Sequence, residues 1–196
     1  GLFAIVQGVI AVKSLNDYAA TTKELERASR IAAIAEKMNG LVLSVVMESR
    51  GVYMSRDRAE AEKFAKPLLG FLAQMPPLME QWQTLMDPDD RKESAKALEQ
   101  LNQFVKFRKE LARLGVEESP AKGREWGDND ANRKNRQDLN KELLALSDAN
   151  AKEVARLQEL AIAHAQTKIY LLAGVVLAGI ALAVVIALAG SRLLIV

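Results

Sequence analysis

IYLLAGVVLAGIALAVVIALAG, residues 169–190, carries no charge over 22 positions, and it decides how the rest of the chain can fold. About twenty apolar residues rising roughly 1.5 Å each cross a hydrocarbon core about 30 Å thick, so this run is long enough to span a membrane as one helix. A shorter apolar stretch, Leu2–Val12, opens the chain and stops at Lys13. It is too short to span. An interfacial anchor would carry a charged face, and a signal peptide would carry a basic start and a small-residue cleavage site. Residues 1–13 are therefore expected to be the truncated outer part of a first transmembrane helix, with 169–190 as the second.

Between them lies a charged block, residues 14–167, one domain's worth of chain. The whole chain has 27 basic and 25 acidic residues. Setting aside Lys13, Lys168 and Arg192, which flank the apolar runs, leaves the block almost neutral. No basic stripe interleaved with aromatics is present, so nucleic acid is not an expected partner. Cysteine is absent, which is compatible with an oxidising compartment. Arg192, just past the second run, is consistent with a cytoplasmic end there.

The periodicity of the block is helical throughout. Leu25, Ala28, Ala32, Ala35, Met38, Val42, Val45 and Val52 lie on one face of a long first helix. Asp57-x-x-Glu60 has the form of a capping box and starts a second helix near Arg58. Its stripe runs Ala61, Phe64, Leu68, Phe71, Met75, Leu78, Trp82 and Leu85. Pro67, Pro76 and Pro77 fall inside it and are expected to kink or break it, because an interior proline removes a hydrogen bond and clashes with the preceding turn. Asp87-Pro88-Asp89-Asp90 is turn chemistry. A third helix follows, marked by Ala97, Leu101, Phe104, Phe107, Leu111 and Leu114, with Gly115 expected at its C′ position. The fourth, starting near Asp128 and carrying Leu139, Leu143, Leu146, Val154, Leu157 and Leu160, meets no proline or glycine before Gly174. The expected fold is all-α: an up-down-up-down four-helix bundle whose first and last helices continue as transmembrane helices.

In such a bundle the turn between helices one and two and the turn between three and four share the membrane-distal end. The segments brought there are Met47–Ser55 (MESRGVYMS) and Gly123–Arg133 (GREWGDNDANR). Together with Val45–Ser55 (VVMESRGVYMS), Phe107–Gly115 (FRKELARLG) and the second apolar run followed by SRLLIV, they give the chain a resemblance. It resembles the sensor region of bacterial methyl-accepting chemotaxis proteins of the four-helix-bundle type, over nearly its whole length. The resemblance implies a two-pass protein of the bacterial inner membrane, with residues 14–167 as a periplasmic sensor and 191–196 as the start of a cytoplasmic HAMP linker. It further implies a homodimer that binds a small molecule, anionic by the chemistry below, or a periplasmic protein. The signal would pass through the second span to a cytoplasmic module, absent here, that controls a histidine kinase.

Receptors of this type bind ligand with arginines of helix one and residues at the start of helix four. By that likeness the candidate ligand-binding residues are Arg50, Tyr53, Arg56, Arg124, Trp126, Asn129, Asn132 and Arg133. A forked guanidinium grips a carboxylate bidentately, and a helix N-terminus adds free N–H groups. The family's arginine spacing is not repeated residue for residue, so the ligand's identity does not follow. Each candidate also has a structural alternative: the arginines can pair with Glu48, Glu125 or Asp128, Trp126 can plug the end of the bundle, and Asn129, Asn132, Arg133 and Arg136 form a stripe that can be a solvated face or a dimer seam. His164 is the only histidine and no second His or Cys joins it, so no metal and no cofactor are expected. No phosphate loop or Ser/His/Asp set is present, and no enzymatic activity is expected. Two other readings use the same features: the same ectodomain on a sensor kinase or cyclic-dinucleotide enzyme, or a ligand-free membrane coil associating through small residues such as Gly174 and Ala178.

Overall fold

A computed structural model of the chain describes residues 2–193. Gly1 and residues 194–196, the second half of the expected linker start, lie outside them, as do the side chains of the first apolar run apart from Val9 and Val12. The chain is all-helical, with 95% of residues in helix and no strand among the described residues. Five helices follow in order: α1 (Leu2–Met54), α2 (Arg58–Leu85), α3 (Pro88–Arg113), α4 (Pro120–Gly127) and α5 (Asp130–Leu193), with a π-helical turn, Leu114–Glu118, between α3 and α4. They form two compact units. One is Arg27–Glu153, and the other joins the two chain ends, Gly1–Glu26 and Val154–Val196.

Within Arg27–Glu153 a single apolar core draws on all four long helices. Met38, Val45 and Val52 of α1, Leu68, Leu72 and Met75 of α2, Leu101 and Phe104 of α3, and Leu139 and Leu143 of α5 are buried in it. Their spacings of three, four and seven are those of one helix face, so the stripe that makes each helix amphipathic is the stripe it buries. The expected faces are rotated slightly in α2: Ala65 and Leu72 are buried, whereas Phe64 is exposed.

The ends of the helices have local causes. Ser55 Oγ donates to the Gly51 carbonyl at 2.7 Å as α1 closes. Asp57 caps α2, accepting from the Glu60 N–H at 2.8 Å, and the Glu60 carboxylate returns to the Arg56 N–H at 2.8 Å. The reciprocal limb of the box therefore reaches one residue further back than in the standard motif.

Two expectations are corrected. α2 is not broken at Pro67, Pro76 or Pro77 but continues through them as one helix of 28 residues; Pro76 and Pro77 are exposed, where water can take the freed carbonyls. Gly115 is not a left-handed C′ residue, because no described glycine has a positive φ. It is buried in the π turn, and a Cβ there would strike Val52. Close approach, not conformation, is what requires glycine. The fourth long helix does begin near Asp128, as expected, but a short helix precedes it. Ser119 and Pro120 start the short α4 first, with Ser119 Oγ accepting from the Lys122 N–H at 3.2 Å, and α5 begins at Asp130.

In the other unit, Tyr18 of α1 and Lys168 of α5 meet, with the ammonium 4.0 Å from the ring centroid. Among the described residues one helix, α5, is long and apolar enough to cross a membrane by length and composition, and none of its most apolar window is buried in protein. Ile169, Leu177, Ile180 and Val185 are all more than half exposed.

Candidate functional site: a guanidinium-lined cleft

The segments expected to meet do meet. The last turns of α1, the end of α3, the end of α4 and the first turns of α5 enclose a cleft of about 330 Å³ within the compact unit. α1 supplies Val46, Arg50, Tyr53 and Met54; α3 supplies Arg108; α4 supplies Arg124 and Gly127; Asn132, Arg133 and Arg136 come from α5. Asp128, between the last two helices, is the only acidic residue in the lining. Five guanidiniums from four helices thus face one carboxylate.

These five are not equivalent. Arg133 is neutralised, donating to Asp128 at 3.0 Å and to Asp130 at 2.9 Å. Arg124 donates to the Tyr53 carbonyl and so fastens α4 to the end of α1. Arg108 is 4% exposed, lies 5.2 Å from the Phe104 ring centroid and donates to the Tyr53 hydroxyl at 3.0 Å. Its Nε is buried with no partner. Among the described residues Arg50, Arg108 and Arg136 have no ion pair.

Burial pulls the Arg108 pKa below the ordinary arginine value, Tyr53 opposes that shift, and nearby Arg136 adds to it. Guanidinium nonetheless stays charged at any physiological pH. The cleft therefore holds a permanent buried cation without a counter-ion, a costly arrangement in an isolated fold. Burial likewise raises the Tyr53 phenol, with Arg108 opposing, so at neutral pH it is an O–H able to donate. Gly127 lets this cluster close, since a Cβ there would fall on the Tyr53 hydroxyl and the Leu111 side chain.

Of the eight candidates, Arg50, Tyr53, Arg124, Asn132 and Arg133 line the cleft. Three do not. Arg56 is fully exposed and pairs with Glu60 at 3.1 Å. Asn129 caps α5, accepting from the Asn132 N–H at 2.9 Å, while both asparagine amides donate to the Trp126 carbonyl, at 2.7 and 2.6 Å. Trp126 latches α4 to α3: its indole N–H donates to the Phe107 carbonyl at 3.3 Å, and the two rings lie 6.1 Å apart. Asn129 and Trp126 thus build the frame of the cleft, whereas Arg56 takes no part in it.

Arg108 was missing from the expected set. Its spacing was the available signal, because it lies four residues after Phe104 and three before Leu111, on the stripe that α3 buries. A charged residue at a core position is unusual enough to mark a site.

A more open groove of about 520 Å³ between α2 and α3 sets Arg91 and Lys106 beside Glu99 and has no dominant sign of charge. No cluster of three or more metal-ligating side chains occurs among the described residues. The chain matches no family model, no curated protein and no solved structure.

Proposed function

We propose that the chain is the ligand-binding sensor region of a transmembrane chemoreceptor. The observation that carries this is the continuity of α5. Its first turns supply Asn132, Arg133 and Arg136 to the cleft, and the same helix contains the apolar residues 169–190. A helix propagates a small axial shift with little loss, since its hydrogen bonds resist local stretching, and shifts of about 1–2 Å are ordinary for switching helices.

In this reading the four long helices form an up-down-up-down bundle on the periplasmic side of a bacterial inner membrane. α1 and α5 are its two transmembrane helices, and two copies associate as a homodimer. Residues 191–196 lead into a HAMP linker and a cytoplasmic module that controls a histidine kinase. The region binds and transmits; it catalyses nothing.

The test is functional. Residues 1–196 are joined to the signalling portion of a chemoreceptor of known output and reconstituted with its kinase in membrane vesicles. Kinase activity should change when amino acids, organic acids and inorganic ions are screened. Silence across the panel, with the chimaera present and folded, overturns the receptor reading.

A further inference from the structure

We infer that the cleft binds a small oxyanion carrying two or more negative charges, held within a single subunit with Arg108 at its floor. This names the ligand class of the proposed receptor and rests on that reading for its purpose. The geometry stands without it.

The charge of the lining favours such a ligand. Five guanidiniums and one carboxylate leave a strong positive excess in the lining. Arg124 and Arg133 already serve the fold through the Tyr53 carbonyl and the two aspartates. Arg50, Arg108 and Arg136 remain, from three different helices, without ion pairs among the described residues. Like charges do not gather unaided, and Arg136 raises the cost of keeping Arg108 charged. A ligand with two or three negative charges removes that repulsion, whereas a monoanion leaves most of it.

The buried guanidinium calls for one as well. Arg108 is 4% exposed, and its Nε has no partner. Buried polar atoms are almost always satisfied, and the exceptions call for an explanation such as a bound ion. An oxyanion accepts two parallel N–H bonds from one guanidinium, and the Tyr53 hydroxyl beside it supplies another donor. Volume sets a further limit, since about 330 Å³ falls near the lower end of ligand cavities and suits a compact ligand. Little apolar surface is available for a large body, with Val46 and Met54 the apolar side chains of the lining. Carboxylates and phosphate share the required chemistry, and their separate titrations distinguish them.

The experiment uses the 196-residue chain in nanodiscs of uncharged lipid, with calorimetric titration of acetate, succinate, citrate, phosphate and sulfate at low and high salt. Affinity should rise with anion charge and fall as salt screens the field. Preference for succinate and citrate over phosphate identifies a carboxylate site, and the reverse order a phosphate site. Arg108→Met should weaken the best anion about 10- to 100-fold, the effect of losing a charge-assisted bond. Arg136→Gln, away from the core, tests the same prediction if the first variant fails to fold. Arg56→Gln should leave affinity unchanged. No binding by any multivalent anion, or undiminished binding in both Arg108→Met and Arg136→Gln, overturns the inference. The receptor reading falls separately: an anion that binds but leaves the chimaeric kinase unmoved refutes the receptor and not the site. A kinase response to uncharged amino acids alone, with no anion bound, does the opposite.

Discussion

Arg108→Met in the ligand-free chain should raise stability by about 1–3 kcal/mol, even though it deletes a hydrogen bond and a ring contact. Removing the bond to Tyr53 costs about 1 kcal/mol, and losing the guanidinium from the Phe104 ring costs about 0.5–1 kcal/mol. Against this stands the desolvation of a cation that is 4% exposed and has no counter-ion. That penalty is several kcal/mol per ion even after relaxation, and exchanging buried ionic groups for apolar ones of similar volume is often stabilising. Methionine also fills the space adaptably. The Tyr53 hydroxyl left behind lines the cleft and can bond to water.

In a chain of this size, 1 kcal/mol corresponds to about 2–4 °C in melting temperature, so the gain is measurable by thermal denaturation. A site that costs stability when empty is the expected signature of binding chemistry kept for function. A lower melting temperature would mean that Arg108 is a net tie between α3 and α1, and that its burial needs no ligand to explain it.

Ala155→Pro should abolish coupling in the chimaeric receptor while leaving anion binding intact. Ala155 lies inside α5 and is exposed, so little packing is lost on substitution. Proline removes the hydrogen bond to the residue four back and clashes with its carbonyl, at about 3 kcal/mol in a helix interior. The residues that line the cleft all precede Ala155, and the apolar run 169–190 follows it. A break here separates the two along the chain without touching either. The measurement pairs calorimetric affinity with kinase activity in the same vesicles, checked against surface expression. Preserved affinity with a kinase deaf to the anion is the expected pair. Retained kinase control would show that the signal travels by another route.

Much of the fold was legible because long amphipathic helices declare themselves by spacing. The α2 start was visible in Asp57 and Glu60, and the segments that line the cleft were visible as two unusual clusters. The α3–α4 connection was not. A π turn over Leu114–Glu118 and a separate helix over Pro120–Gly127 depend on how closely backbones approach, as where Gly123 meets Gly115 with a Cβ position 3.0 Å from its Cα. Sequence spacing carries no such distance. Gly115 invited a left-handed cap because that is glycine's commonest use at a helix end.

Arg108 was hidden by its neighbour. Phe107 and Arg108 lie about 100° apart on a helix, and reading apolar residues as the core places Phe107 inward. The packing instead leaves Phe107 half-buried under Trp126 and turns Arg108 into the core. The buried stripe, Leu101, Phe104, Arg108 and Leu111, is regular only when the charged residue is counted.

The central claim is that occupancy of the cleft moves α5 relative to α1 where both join the unit formed by the chain ends. The chain has no cysteine, so a single engineered pair reports cleanly. Tyr18 and Lys168 face each other there, 4.0 Å from ammonium to ring. Tyr18→Cys with Lys168→Cys places one thiol on each helix. Disulfide closure demands Cα atoms about 4.4–6.8 Å apart with matched Cβ directions, so a displacement of about 1–2 Å alters its rate. The measurement is the oxidation rate of this pair in nanodiscs, with the cleft empty and then saturated with whichever of citrate or phosphate binds. The account predicts different rates in the two states, and the difference should vanish with Arg108→Met. Equal rates, with the anion shown to be bound, would contradict it.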